Sequence, residues 1–263
     1  MTQNAWTISI DTGGTFTDSV ARAQDGNFMV AKVPSTPDDP GRALVDSIQA
    51  LVQQGLDPSK IDLICHGTTI ATNAILTNQF SKVALVVTAG FKDVLAIRNG
   101  IRPDIYNLHV PRPAQLVARE HCVEVGERVT TGGKVLTPLL DEEIDRVIKQ
   151  LADIAPESIA ICLLFSYSND EHESKLAQRI REVFPDIPVT VSSEIVREFR
   201  EYPRTSTTVI NAGLRPIVGS YLESVQGKIE ESGVHAPFLV MQSNGGCAVA
   251  TRSAQESHRL ILS

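Results

Sequence analysis

Residues 8–20 read Ile-Ser-Ile-Asp-Thr-Gly-Gly-Thr-Phe-Thr-Asp-Ser-Val, an apolar β-branched run that enters an acidic residue, two glycines and three threonines before turning apolar again. Gly13 and Gly14 let backbone N–H groups approach an anion with no Cβ in the way, and successive donors in such a turn form an anion nest. Thr12, Thr15 and Thr17 add hydroxyl donors for phosphoryl oxygens. Asp11, at the strand end, is the right type to hold Mg²⁺ through water, because that ion keeps several waters and uses few carboxylates. Together these residues suit a phosphate tail with its metal. On spacing alone a plain Gly-containing hairpin is the commoner reading. No Gly-x-x-x-x-Gly-Lys-Ser/Thr or Gly-x-Gly-x-x-Gly string occurs, which excludes a Walker A loop and a dinucleotide fingerprint.

Other residues could join such a site. His66-Gly67-Thr68-Thr69 follows an apolar run and leads into residues 71–76, so its hydroxyls and N–H groups fall at the start of a helix. That position suits anion binding, and it equally suits plain capping. His66 is an acid or base for neutral pH, or a hydrogen-bonded core histidine. Arg98, Arg102, Asp104 and Arg112 lie in a Pro-rich segment where a guanidinium can clamp a carboxylate or carboxyphosphate; surface ion pairing is the alternative. Ser243-Asn244-Gly245-Gly246 is a turn that can close on a nucleotide or simply connect strands. Glu201, Arg204 and Thr205 precede an expected helix whose first turn can face a cleft. Residues 170–173, Asp-Glu-His-Glu, read as an acidic helix start. Cys65, Cys122, Cys162 and Cys247 show no metal spacing and read as structural thiols.

The elements that must carry these residues alternate. Strands are expected at 6–10, 19–23, 28–33, 61–66, 83–88, 159–165, 189–192 and 237–242. Helices are expected at 41–55, from 69, near 91, at 141–154 with Asp141 as N-cap, at 170–184 and within 205–232. Such alternation gives an α/β protein with a mixed sheet. The expected division is a phosphate-side α/β layer at 1–91, a loop-rich connection at 92–140 and a second α/β layer at 141–263.

A chain of 263 residues with 42% hydrophobic and 21% charged residues can bury a large core. Its formal charge of −7 leaves no footprint for nucleic acid or an anionic membrane surface. No apolar run approaches the ~20 residues of a spanning helix, and no secretory leader is evident, so a cytoplasmic setting is expected.

Residues 11–18, Asp-Thr-Gly-Gly-Thr-Phe-Thr-Asp, resemble the first phosphate motif of the actin, sugar-kinase and chaperone ATPase superfamily, in the form used by the hydantoinase A, 5-oxoprolinase and acetone carboxylase family. Residues 66–74 resemble that family's His-Gly-Thr-Thr-x-Ala-Thr-Asn signature. Further blocks at 90–93, 102–106, 201–212 and 241–246 follow in family order. The resemblance implies a ribonuclease-H-like α/β fold, the N-terminal lobe of a two-lobed ATPase, with ATP and Mg²⁺ as cofactors. It implies an ATP-dependent hydrolase that opens hydantoin or 5-oxoproline-type rings after phosphoryl activation of the amide. Asp11 then holds Mg²⁺, Thr12, Gly13, Gly14, Thr15 and Thr17 bind phosphoryl oxygens, and Asp18 and His66 complete the catalytic set. Thr68, Thr69, Asn73, Arg98, Arg102, Asp104, Asn244 and Gly245 are its substrate-side candidates. A second Gly-Gly-Thr loop is absent, so a C-terminal lobe or a hydantoinase B-like partner subunit is expected, in an oligomer, and the fragment alone is expected to turn over little ATP. An acetone carboxylase β-type subunit and a non-catalytic docking module of the same fold are the alternatives.

Overall fold

The computed structural model describes residues 5–36, 38–101, 104, 106–107, 109–110 and 114–262. In chain order the strands and helices are β1 (Trp6–Thr12), β2 (Phe16–Ala23), β3 (Phe28–Pro34), α1 (Pro40–Gln53), β4 (Ile61–Thr68), α2 (Ile70–Leu76), β5 (Val83–Thr88) and α3 (Val94–Ile97). Then come β6 (Cys122–Val125), β7 (Arg128–Val129), β8 (Val135–Thr137), α4 (Asp141–Ile154), β9 (Ser158–Cys162), α5 (Glu171–Val183), β10 (Val189–Val191) and α6 (Ser192–Ile195). The long helix α7 (Glu201–Glu231), β11 (Phe238–Met241), β12 (Cys247–Val249) and α8 (Ala250–Gln255) complete the order. Among the described residues no helix is long and apolar enough to cross a membrane.

Two compact units result, one of Met1–Gln79 with Ile217–Ser263 and one of Phe80–Pro216. This differs from the division expected at residues 91 and 141. Its cause is that β11 pairs in parallel with β4, which returns the end of the chain to the first unit.

The first unit is built on a mixed sheet ordered β12-β11-β4-β1-β2-β3. Along β1 the side chains alternate, and Trp6, Ile8, Ile10 and Thr12 point to the buried face. Helix α1 lays Ala43, Leu44, Ile48 and Leu51 into that core and packs against β1, β2 and β3.

The second unit carries an all-parallel sheet, β10-β9-β5-β6, and a small β7-β8 ribbon. Every residue of β5 and β9 is buried, as a parallel sheet covered on both faces requires. Ile144, Val147 and Leu151 of α4 and Leu176 and Ile180 of α5 pack on one face, with Leu95, Val209 and Ala212 in the core of the other.

Two local expectations are corrected. The strand expected over 159–165 ends at Cys162, because Leu163 N–H donates to the Glu173 carboxylate and its C=O accepts from Arg204, neither pairing with a neighbouring strand. Asp141 is the first residue of α4 rather than its cap; Leu140 holds the cap position, and the Asp141 carboxylate pairs with Lys175 at 2.8 Å. The short β6, β7, β8 and β12 and helix α8 have no counterpart among the expected elements, being too brief for periodicity to register.

Candidate functional site

The glycine turn closes an antiparallel hairpin in which Asp11 faces Asp18 and Thr12 faces Thr17. Gly13 N–H donates to Phe16 C=O at 3.1 Å, so the first nest donor is spent inside the turn, and neither Gly13 nor Gly14 takes a positive φ. Ser35, just beyond β3, stitches the turn from the side: its N–H donates to Thr15 C=O at 2.9 Å and its hydroxyl to Gly13 C=O at 2.7 Å. The buried Thr17 hydroxyl lies 3.0 Å from the same Ser35 hydroxyl, which places Thr17 inside the support of the turn.

Strand β4 runs parallel to β1 with Gly67 beside Asp11 and Thr68 beside Thr12. This register sets the two polar segments of the sequence edge to edge. Thr12, Gly13, Gly14, Thr68, Thr69 and Asn73 line one cavity of about 280 Å³, together with Ser35, Thr36, Gln79, Ile217 and Tyr221. The Thr12 hydroxyl is buried and has no hydrogen-bond partner among the described residues, an arrangement that ordinarily costs stability. A Cβ on Gly14 would meet nothing within 4 Å, so the room there is open space. Thr68 accepts from Ile70 N–H at 3.3 Å, and Asn73 donates to the Thr69 hydroxyl at 3.2 Å.

Asp11 is exposed and has no hydrogen-bond or ion-pair partner among the described residues. The missing side chain at Gly67 leaves room for its carboxylate, since a Cβ there would sit 3.3 Å from Asp11 Oδ1. Asp18 is instead engaged with Lys32 at 2.8 Å in an exposed pair. No group of three or more metal-capable side chains occurs among the described residues. A lone carboxylate beside hydroxyl donors fits a hydrated Mg²⁺ on a phosphate chain and does not fit an all-protein cage.

His66 is fully buried, with Nδ1 3.3 Å from Ile10 C=O and Nε2 2.6 Å from Tyr221 Oη. A carbonyl only accepts, so Nδ1 carries the hydrogen and Nε2 receives the Tyr221 hydroxyl. Burial pushes the imidazole down to about 4 and the phenol up to about 12. At neutral pH the imidazole is thus an uncharged link that holds Tyr221 against the cavity. Sequence reasoning missed Tyr221, because a tyrosine within a 31-residue helix carries no local motif. It also missed Ser35 and Thr36, whose only signal was a polar pair where the meander breaks.

Asn244 and Gly245, in the same unit, do not line this cavity. Asn244 turns its Oδ1 onto Gly246 N–H at 2.9 Å, and Gly245 takes φ 81° in the β11–β12 turn. Arg98 and Asp104 belong to the second unit; Asp104 accepts from Tyr106 N–H at 3.0 Å. Arg102 and Arg112 lie outside the described residues. Glu173 and His172 are buried structural groups: Glu173 accepts from Leu163 N–H, Ser192 and Ser193 N–H, and His172 Nδ1 meets Glu127 at 2.7 Å.

Comparison with known proteins bears on this geometry. The family model for the hydantoinase/oxoprolinase N-terminal region matches residues 7–184, and the hydantoinase/oxoprolinase model matches residues 204–263. An uncharacterized protein of Methanocaldococcus jannaschii is 39% identical over 243 residues, covering 91% of this chain and 35% of its own length. The caprolactamase subunit alpha of Pseudomonas jessenii is 35% identical over 255 residues, covering 94% of this chain and 37% of its own. The crystal structure of the ATP-dependent caprolactamase of that organism superposes with a TM-score of 0.84 at 34% identity, over 93% of this chain and 36% of that one. Nucleotide-free acetone carboxylase, from work on ATP-dependent acetone carboxylation, gives 0.87 at 26% identity over 99% of this chain and 39% of that one. The chain thus spans little more than a third of the length of these relatives.

Proposed function

We propose that this chain, which belongs to the hydantoinase/oxoprolinase family, provides one half of the ATP phosphate site of an enzyme that opens cyclic amides. The observation that carries the reading is the β1–β4 register, which sets Thr12 beside Thr68 and leaves the Thr12 hydroxyl unpartnered at a cavity with open room over Gly14. A triphosphate offers many acceptor oxygens and no donors, which is what hydroxyls and glycine N–H groups select. In the proposed roles, Thr12, Gly14, Thr68 and Thr69 contact phosphoryl oxygens, Asp11 holds Mg²⁺ through water, and Ser35 with Thr17 keeps the turn in shape. When bound, MgATP would supply a phosphoryl group to the amide oxygen, making the ring carbon open to water; the ring C–N bond then breaks with a proton passing to nitrogen, and hydrolysis of the acyl phosphate left behind releases phosphate. The protein's share is positioning and charge stabilisation.

The complementary phosphate loop and the hydrolytic surroundings would come from further polypeptide, within one chain or from a partner subunit. The name of the caprolactamase subunit alpha supports the partner-subunit arrangement. The likeness to acetone carboxylase supports a second reading, in which the same half-site serves activation of a ketone or bicarbonate. Isothermal titration of the chain with MgATP tests the shared premise. We expect weak binding that Thr12→Val and Gly14→Val each reduce by about tenfold, the worth of one or two charge-assisted hydrogen bonds. Binding indifferent to both substitutions would remove the phosphate site from this cavity.

A further inference from the structure

Two of the four cysteines are not the buried structural thiols that the sequence suggests. Cys122 and Cys162 are enclosed, whereas Cys65 is half-buried and Cys247 is exposed. Strand alternation accounts for Cys65: its neighbours Ile64 and His66 are fully buried in the core, so its side chain leaves from the opposite face of the sheet. On β11, which lies between β4 and β12, Leu239 stands opposite Cys65 and Met241 opposite Cys247. Leu239 and Met241 are two residues apart and share a face, while Phe238 and Val240 turn into the core. The two cysteine side chains therefore meet over β11 on the outer face, and their Sγ atoms lie 3.2 Å apart.

A covalent S–S bond, at about 2.05 Å, asks the sulfurs to close by roughly another 1.2 Å. Strand β12 is the element that can give, being an edge strand of three residues that pairs with β11. The contact also separates the roles of the two thiols. Burial, together with the neighbouring Cys247 sulfur, pushes the Cys65 thiol up to about 11, which makes Cys65 the S–H donor of the contact. Cys247, at the surface, meets solutes first. An exposed thiol beside a second, resolving thiol is the arrangement in which oxidation ends at a reversible disulfide instead of running on to sulfinic acid.

We propose that Cys247 and Cys65 are a redox-modification site, which hydrogen peroxide converts to a disulfide between β12 and β4. The Cys247 thiolate attacks the peroxide O–O bond and takes one oxygen as a sulfenic acid, and the other oxygen leaves as water. The Cys65 sulfur then displaces the sulfenic hydroxyl, the S–S bond forms, and the Cys65 proton departs with that hydroxyl as a second water. Two thiols thus lose two electrons and one peroxide is reduced to two waters. Because Cys65 holds its proton tightly, its attack is the slower step and the sulfenic acid lasts long enough to be trapped. The bond joins the two separate stretches of chain that build the first unit, Met1–Gln79 and Ile217–Ser263. Neither sulfur lines the phosphate cavity, so this site stands or falls apart from the phosphate reading.

The test is treatment of the dilute full chain with hydrogen peroxide, followed by a thiol count in denaturant. Wild type should fall from four free thiols to two and recover all four with dithiothreitol. Peptide mapping without reductant should find the Cys65 and Cys247 peptides joined. Cys65→Ser should form no bond within the chain and leave Cys247 as a sulfenic acid that dimedone captures. Cys247→Ser should keep its three remaining thiols at the same dose. Wild type that retains four thiols, a bond made to Cys122 or Cys162 or between two chains, or a Cys247→Ser variant oxidised as fast as wild type would each overturn the proposal.

Discussion

Acidification should destabilise the first unit through His66, and the size of the effect follows from its burial. The imidazole is enclosed, bonded to Ile10 C=O and Tyr221, and held near 4 against an ordinary 6.5. The folded state thus binds a proton less readily than the unfolded chain. Its stability contribution is fully present above pH 6.5 and is lost as pH falls toward 4. A displacement of that size amounts to roughly 2 to 3 kcal/mol between pH 7 and pH 4.5. Trp6 is the sole tryptophan, lies buried in β1 of the same unit, and makes fluorescence a local reporter. Urea unfolding followed at Trp6 across that pH range should show the loss in wild type. In His66→Gln, which keeps a polar amide but cannot titrate, the loss should shrink by roughly 2 to 3 kcal/mol. His258, also lowered by burial, acts in the same sense and cancels in the difference. Parallel pH profiles for the two proteins would refute the argument that His66 is a neutral structural link.

Three further outcomes are expected. Glu173→Ala should destabilise the second unit by about 3 to 5 kcal/mol, because it strips Leu163 N–H and Ser193 N–H of their acceptor and leaves the buried Arg204 charge unpaired; thermal melting with a loss below 1 kcal/mol would contradict this. Gly213→Ala should cost about 1 to 3 kcal/mol, since its Cβ would lie 2.4 Å from the Phe80 ring. Phe80→Ala in the same chain should recover most of that loss, and additive costs in denaturant titrations would show the clash is not the cause. Asp11→Ala should melt as wild type does, its carboxylate being exposed, yet lose the Mg²⁺-dependent part of ATP binding; an equal loss without Mg²⁺ would take the metal role from Asp11.

What the sequence determined by itself was local. The β-branched run into Asp11-Thr12-Gly13-Gly14 fixed a hairpin with a polar turn. Continuous apolar runs at 83–88 and 159–165 marked strands, the second of which stops at Cys162, and the spacing in 41–55 and 141–154 marked amphipathic helices. These are short-range consequences of side-chain period and turn chemistry, so one segment suffices to read them. Tertiary structure decided everything that depends on pairing between distant segments. Only the parallel register of β1 with β4 put Thr12 beside Thr68, and only the return of β11 to β4 drew residues 217–263, with Tyr221, into the first unit. Folding then supplied partners that no single segment shows: Tyr221 for His66, Ser35 for Thr17, and for Glu173 the loop amides where a strand was expected. Chain composition cannot carry that information, because a side chain's proton affinity and its partners are set by what surrounds it after folding.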